Sequence, residues 1–416
     1  MNIWIFNAYN MPFKYGHLNR SFYFEKFLTK KAIDVKVFVN SYLHNGSKNI
    51  VDTEGLFKIE GNCVFVKIDK YKGNGFGRIK SMFQYYFNLF KISDKFERPD
   101  VIIGSSVHPL ACVAAIKLSK KYKCKNIVEI RDLWPETLVS YGIIGKNNPI
   151  TKILYKLEKW IYKKADKIIF TMEGGKDYIV EKGWDKGSGG PVDINKIYHI
   201  NNGVDLEVFD YNKENYKIDD EDLKNKDIFK VVYTGSIRFV NNLGILVKVA
   251  ERLKEQGHNK MKLLIWGTGD QLENLRQEVK DKKLDNIVFK GYVEKKYVPY
   301  IVSDSDVNIL HGDSNFLNVA RFGVSLNKLF DYFAGGKPIL SSIVCNYDVV
   351  SQNKAGITIK KQTVENIADG IIKFYNMPKD EYEKMCKNAR KLSHEYDFKN
   401  LTDKLINIIE GGWINN

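Results

Sequence analysis

Residues 230–267, KVVYTGSIRFVNNLGILVKVAERLKEQGHNKMKLLIWG, decide how the chain is read. VVYTG is a short β-branched and aromatic run closed by glycine, and MKLLIWG repeats the pattern after a helical stretch. Runs of this kind read as buried parallel strands, apolar on both faces because helices cover both. NIVFKG, DVNIL and PILSS continue the series. Upstream, Ile3–Phe6, Val35–Val39, Val64–Ile68, Val101–Ile103, Ile127–Ile130, Lys167–Thr171 and Ile197–Ile200 carry the same signature. Amphipathic stretches such as Leu18–Lys31, Leu110–Lys121 and Ile150–Lys164 lie between them. Two successive βα runs predict an α/β protein of two doubly wound, Rossmann-like domains. Residues 1–209 make the first domain, the polar, aperiodic segment 210–228 a linker, and residues 229–393 the second. The stretch Asp380 to Trp413 reads as helical with no strand partner, and residues 394–416 are expected to pack back on the first domain. Ligands of such sheets bind outside the carboxyl ends of the strands, so two facing domains imply a cleft.

The chain has 416 residues, enough for two to three domains, and its 44% hydrophobic fraction suffices for buried cores. No run of 18 apolar residues is present, which excludes a spanning helix, and MNIWIFNAYN lacks the basic start of an export signal. Five cysteines (Cys63, Cys112, Cys124, Cys345, Cys386) form no CxxC and read as free thiols of a reducing cytoplasm. The net charge of +15 is uneven: residues 1–200 carry +14 and the remainder +1. A basic half beside a neutral one suggests an anionic surface as partner, against the plain alternative of a solvated lysine-rich face. The segment Arg78–Ser93, RIKSMFQYYFNLFKIS, follows the glycine-rich Gly73–Gly77 and interleaves aromatics with cations and no acid. It fits an interfacial helix at a membrane surface or a core-facing helix with a basic outer side. Gly183–Pro191, GWDKGSGGP, reads as a loop.

Glycines at strand ends mark where backbone can approach a ligand: Gly16 before the first helix, Gly235, and the pair Gly267 and Gly269. GTG is not a full GxGxxG, which disfavours a nicotinamide site. The densest constellation is Arg321–Pro338, RFGVSLNKLFDYFAGGKP. Gly323, Val324 and Ser325 lead into a helix near Leu326, where uncapped N–H groups favour an anion. Asn327 and Lys328 lie in its first turn, and a cation there opposes the macrodipole unless it meets a phosphate. Asp331 follows one turn along the same face, placed to accept from vicinal hydroxyls or simply to pair with a lysine. Asp304-Ser305-Asp306 is turn chemistry before a strand, and seven histidines without metal spacing argue against a metal site. No recognisable nucleic-acid motif is present.

NKLFDYFAGGKPIL resembles the carboxy-terminal signature of retaining glycosyltransferases of family 4, which have the GT-B fold. EIRDLWPETLVSYGI (Glu129–Ile143), the later KADKIIFTMEGG stretch and INNGVD (Ile200–Asp205) resemble the branch that transfers N-acetylated deoxyhexosamines such as fucosamine in surface-polysaccharide assembly. The resemblance implies that Asp331 binds the nucleotide ribose, while Gly323 stands where many members carry a sugar-reading glutamate. Ser236 and Asn241 stand where many members hold the diphosphate with Arg and Lys, so that role passes to Arg238 and Lys328. Arg131 and Asp132 take the place of the catalytic-pocket histidine and aspartate, and Gly16 meets the donor phosphates. Gly291 and Tyr292 meet the base. Outside the resemblance, His108 follows VIIGSS and precedes Pro109, which reads either as a cleft residue or as a structural histidine; His108 and Glu173 are the acceptor-side candidates. The implied partners are a UDP-sugar, a polyprenyl-diphosphate-linked saccharide acceptor and the inner membrane surface, with no cofactor, metal or nucleic acid. The alternatives are a non-hydrolysing UDP-sugar 2-epimerase, which shares the architecture, and a non-enzymatic basic binder.

Overall fold

A computed structural model of the chain describes all residues except 17–18, 43–51, 53–54, 74, 107, 314, 316 and 413–416. Leu18, Asn74 and Trp413, ends or parts of segments read above, lie outside the described residues. The chain divides into two compact units, residues 1–201 with 401–416, and residues 202–400.

The first unit holds an eight-stranded sheet: β1 (Asn2–Phe6), β2 (Asp34–Asn40), β3 (Phe57–Glu60), β4 (Cys63–Val66), β5 (Val101–Ser106), β6 (Lys125–Ile130), β7 (Lys167–Phe170) and β8 (Ile197–His199). The order is β3-β4-β2-β1-β5-β6-β7-β8, all parallel except the β3–β4 hairpin. β3 has no counterpart in the sequence reading. FKIE is half exposed, and its hairpin turns at Gly61, whose φ of +60° suits glycine. Phe6 and Phe38 pack edge to face across β1 and β2, with Trp4 tilted against both, in one cluster with Tyr85 and Leu89 of the helix Phe76–Ile92. The strand order reverses between β1 and β5, which puts the ligand crevice of such a sheet at the ends of those strands.

The second unit holds six parallel strands: β9 (Phe229–Thr234), β10 (Met261–Trp266), β11 (Ile287–Gly291), β12 (Val307–Leu310), β13 (Ile339–Ser341) and β14 (Gly356–Thr358). Their order, β11-β10-β9-β12-β13-β14, reverses between β9 and β12. One face is covered by the helices Gly244–Glu255 and Val364–Tyr375, which bury Leu246, Leu253, Ile367 and Ile371. The helices Val298–Ser303, Asn327–Gly335 and Lys379–Ser393 join a second cluster around Leu329, Phe333 and Leu392.

The segment expected as a linker, 210–228, belongs to the second unit and is partly helical. Asp205 caps the helix Leu206–Asn215 through Val208 N (3.2 Å), and Asp220 caps Glu221–Lys224 through Leu223 N (3.0 Å). Phe209 and Leu223 are buried, so two caps and two apolar anchors organise a stretch whose charged composition hides them. The chain crosses between units at 201/202 and again at 400/401. Beside the first crossing, Val204 pairs with Asp397 in a short parallel bridge. After the second crossing, the end of the helix Phe398–Glu410 is tied to the first unit. Lys167 Nζ, at the start of β7, donates to Ile408 O (2.5 Å) and Gly411 O (2.8 Å). No described helix is long and apolar enough to cross a membrane.

Candidate functional site

In the second unit the ends of β9, β10 and β11 are knitted together. Gly235 N donates to Trp266 O (3.0 Å), Gly267 N to Gly291 O (2.7 Å) and Ile237 N to Thr268 O (2.9 Å). Gly235 and Gly267 have φ near +150°, and a Cβ on Gly267 would fall 1.7 Å from Gly235 O. Only glycine fits there, and its bareness leaves the turn open to a ligand.

The helix Asn327–Gly335 approaches this turn with its N-terminus. Gly323, at φ +112°, and the buried Val324 precede it. Ser325 is fixed by Asn202, whose N–H donates to Ser325 Oγ (3.2 Å) and whose Nδ2 donates to Ser325 O (2.7 Å). NGVD and the Gly323–Ser325 loop are therefore one structural piece, a link the sequence does not announce. Leu326 stands at the N-cap with no side-chain cap; Leu329 N donates to Leu326 O (3.0 Å), and the N–H groups of Asn327 and Lys328 keep their capacity for an anion. Asn327 is exposed.

Lys328 points inward. Its ammonium donates to Tyr233 Oη (2.6 Å), lies 3.9 Å from the Tyr233 ring centroid, and sits 2.8 Å from where a Gly235 Cβ would be. No acid pairs with it among the described residues, and burial pulls its pKa down to about 7. One turn on, Tyr332 Oη accepts from Thr234 N (3.0 Å), locking the helix to the end of β9. His311, after β12, bonds Ser342 Oγ through Nδ1 (2.6 Å), and burial lowers its pKa to about 4.

Asp331 lies on the same helix, buried, but its carboxylate is taken by Lys295, whose side chain is 47% exposed. Ser236 and Asn241 bond each other, Asn241 Nδ2 donating to Ser236 O (2.6 Å) and Oγ (2.7 Å). Arg238 is exposed beside Phe239, and Tyr292 is exposed after Gly291. The structure thus gathers Gly235, Ser236, Gly267, Gly291 and Lys328 around one turn, while Gly323–Ser325 lead into the helix that carries Lys328. Arg238 stays at the surface and Asp331 is occupied.

The first unit presents a second polar group at the ends of β1, β5 and β6. Arg20, buried, donates from Nε to Glu129 Oε2 (2.8 Å) and from its two Nη atoms to Asn201 O (2.5 Å) and Ile200 O (2.8 Å). Ser105 Oγ donates to Glu129 Oε1 (2.7 Å), and Asn7 Nδ2 donates to both Ser105 Oγ and Ser21 Oγ. Burial opposes ionisation of Glu129, yet the charges of Arg20 and Arg131 carry its carboxyl below the usual range. Gly16 accepts at its carbonyl from Asn19 Nδ2 (2.9 Å).

Beyond Glu129, Arg131 N donates to Ser106 Oγ (3.1 Å), and its Nε is buried without a hydrogen-bond partner. Asp132 is exposed at the surface, but the protein around its carboxyl raises it against the opposing charges of Arg131 and Arg78. His108, 1% exposed, stands at the N-cap of the helix Pro109–Tyr122 between Tyr9 and Tyr85, both ring nitrogens without a partner. Burial lowers its pKa to about 3, so it is neutral. Glu173 follows β7, its carboxyl raised by burial. A cavity of about 20 Å3 runs inward from Asp132 to Glu158, which accepts from Tyr162 Oη (2.7 Å) and Tyr178 Oη (3.0 Å). Burial lifts Glu158 to about 8. Among the described residues no group of three or more His, Cys, Asp or Glu could hold a metal.

Residues 22–208 match the family described as Glycosyltransferase Family 4, and residues 215–392 match Glycosyl transferases group 1. The uncharacterized glycosyltransferase MJ1069 of Methanocaldococcus jannaschii is 26% identical over 257 residues, 60% of this chain and 61% of that one. The probable glycosyltransferase WbjE of Pseudomonas aeruginosa is 20% identical over 265 residues, 63% of this chain and 62% of that one. The chain thus spans about three fifths of the curated relatives it matches. Among solved structures, Anabaena HepE in complex with UDP-glucose superposes with a TM-score of 0.65 at 12% identity, covering 99% of this chain and 100% of that chain. WaaG, a glycosyltransferase involved in lipopolysaccharide biosynthesis, gives 0.67 at 12%, with the same coverage. OtsA gives 0.74 at 10%, covering all of both chains. The fold is GT-B, two parallel-sheet α/β domains.

Proposed function

We propose that this chain, a glycosyltransferase by both of its matched halves, transfers a sugar from a UDP-sugar with retention of configuration. The second unit would hold the donor and the first the acceptor. The observation that carries the reading is Lys328. An ammonium that meets the Tyr233 phenol and no carboxylate among the described residues, set against a bare glycine turn and a helix N-terminus, has donor capacity left for an anion. The diphosphate of a nucleotide sugar supplies that anion.

In the reaction the anomeric C–O bond to the diphosphate breaks and the bond to the acceptor oxygen forms on the same face. The departing phosphate oxygen takes the acceptor proton. The protein supplies position and charge: the Lys328 ammonium and the backbone N–H groups of Asn327 and Lys328, at the start of their helix, would stabilise the developing phosphate charge. Arg238, exposed beside the turn, would serve as a second cation. Arg131 and Asp132 would orient the acceptor hydroxyl, with neutral His108 and Glu173 beside them. Asp331 would accept from the ribose hydroxyls once Lys295 gives way.

The acceptor we propose is a polyprenyl-diphosphate-linked saccharide, and the transferred sugar an N-acetylated hexosamine or deoxyhexosamine. The helix Phe76–Ile92 supports a membrane-surface position. Phe76 (81% exposed), Ile79, Phe83 and Phe87 form an outward apolar stripe, flanked by Lys80 and Lys91. HepE's complex with UDP-glucose and WaaG's place in lipopolysaccharide biosynthesis support the donor and the setting by likeness alone.

Calorimetric titration with UDP, ADP and GDP in EDTA tests the reading. Wild type is expected to bind UDP selectively, and Lys328→Ala to bind it about 10- to 100-fold more weakly. Equal binding by the variant, or no preference for UDP, refutes the site.

A further inference from the structure

The first unit carries a cavity of about 360 Å3 that the reaction described above does not use. It lies between the loop after β1, the helix Arg20–Thr29 and the β3–β4 hairpin. Phe13 and Phe22 give it apolar walls; Phe13 is 50% exposed and packs on Tyr23 at 4.9 Å. Glu25, Glu60, Asn62 and Lys14 give it polar ones.

The polar groups are already set in direction. Asn62 Nδ2 donates to Glu25 Oε1 (2.7 Å), and Asn62 Oδ1 accepts from Lys36 Nζ (3.2 Å). Glu60 accepts from Tyr15 Oη (3.0 Å) and pairs with Lys14 (2.8 Å), whose hydrogen bond keeps its carboxyl low and ionised. In a half of net charge +14, this is a place where two carboxylates converge. Against the single lining ammonium of Lys14 they leave the lining one negative charge in excess, which disfavours phosphate and carboxylate ligands, and they accept from hydroxyls. Aromatic walls beside a carboxylate, an amide and an ammonium match the ring face and hydroxyl edge of a sugar. The volume suits one or two hexose rings.

The loop that lines this cavity also carries Gly16. We propose that the cavity is a saccharide subsite that holds a neutral sugar of the acceptor, distal to the reacting hydroxyl. The acceptor part of this statement rests on the transferase reading; sugar binding itself does not.

The test is saturation-transfer NMR on the full chain with the methyl glycosides of N-acetylglucosamine, N-acetylgalactosamine, glucose and galactose. Glucuronate serves as the anionic control. Phe13→Ala and Glu25→Gln are compared with wild type after their thermal unfolding midpoints are matched. At least one neutral glycoside is expected to receive saturation, falling about fivefold or more in both variants. Glucuronate is expected to bind less well, and UDP affinity to be unchanged. Absence of signal from every neutral glycoside, signal unaltered in the variants, or preference for glucuronate overturns the proposal. UDP binding without sugar binding removes the subsite and leaves the transferase. Sugar binding without UDP binding removes the transferase and leaves the subsite.

Discussion

The strand ends of the two units treat charge in opposite ways. In the first unit Arg20, Glu129, Ser105 and Asn7 answer one another, and His108 is held neutral. In the second, Lys328 meets a phenol and a glycine and, among the described residues, no acid. Yet the first unit's half of the sequence carries +14 and the other half +1. Net charge says where a chain is basic. An unanswered cation says where an anion belongs.

Breaking the answered side should have the largest effect. Arg20→Ala leaves Glu129 ionised and buried and is expected to cost about 3–5 kcal/mol in denaturant unfolding of the first unit. A cost near zero would show that the network is ornament. Glu158 sharpens the same side. Its carboxyl, raised to about 8 from an unfolded value near 4.5, binds a proton in the folded chain that the unfolded chain has lost. Stability from this group is therefore full below about 4.5 and declines as pH rises through 8. Glu158→Gln should flatten the fall in denaturation midpoint between pH 5 and pH 8.

The unanswered side responds to pH in its binding. Lys328 is half protonated near pH 7 in the ligand-free chain, and a diphosphate recruits the proton. Affinity for a UDP-sugar, whose diphosphate does not titrate there, should rise about tenfold from pH 8 to pH 6. A flat profile by calorimetry would remove Lys328 from the diphosphate. The smallest effect concerns Asp331. Lys295→Ala frees its carboxylate, and UDP should bind up to about fivefold more tightly, in keeping with a half-exposed pair. A loss instead would mean that Lys295 itself reaches the ligand.

Much of this was legible in the residues, and the remainder hid for specific reasons. Buried parallel strands announce themselves because both faces are apolar, as in VVYTG and MKLLIWG. The edge strand FKIE did not, being half exposed. The 210–228 segment read as linker because its buried residue, Leu223, stands alone among charges, and Phe209, which anchors the helix running into it, lies just before it. The caps Asp205, upstream, and Asp220, within it, were the available signal. Lys328 was visible as a cation in a first helical turn. Its lack of an acid was not, since partners are a matter of three dimensions. The Arg20–Glu129 pair spans 109 positions, and no local pattern joins them. Glu158 sits in LEKWI like any helix acid; only Tyr178, on another helix, discloses its burial. Asp331 was read for its acidity, and Lys295 had already claimed it.

The anchoring of Lys167 has a consequence for how the chain is made. Its ammonium starts a strand near the middle of the sequence, and its acceptors are the carbonyls of Ile408 and Gly411. On the ribosome, β7 emerges long before those carbonyls exist. The first unit cannot seal this lysine until residue 411 has left the exit tunnel, so the half synthesised first is the half completed last. A cut before residue 408 is thus an injury to the unit that begins at residue 1.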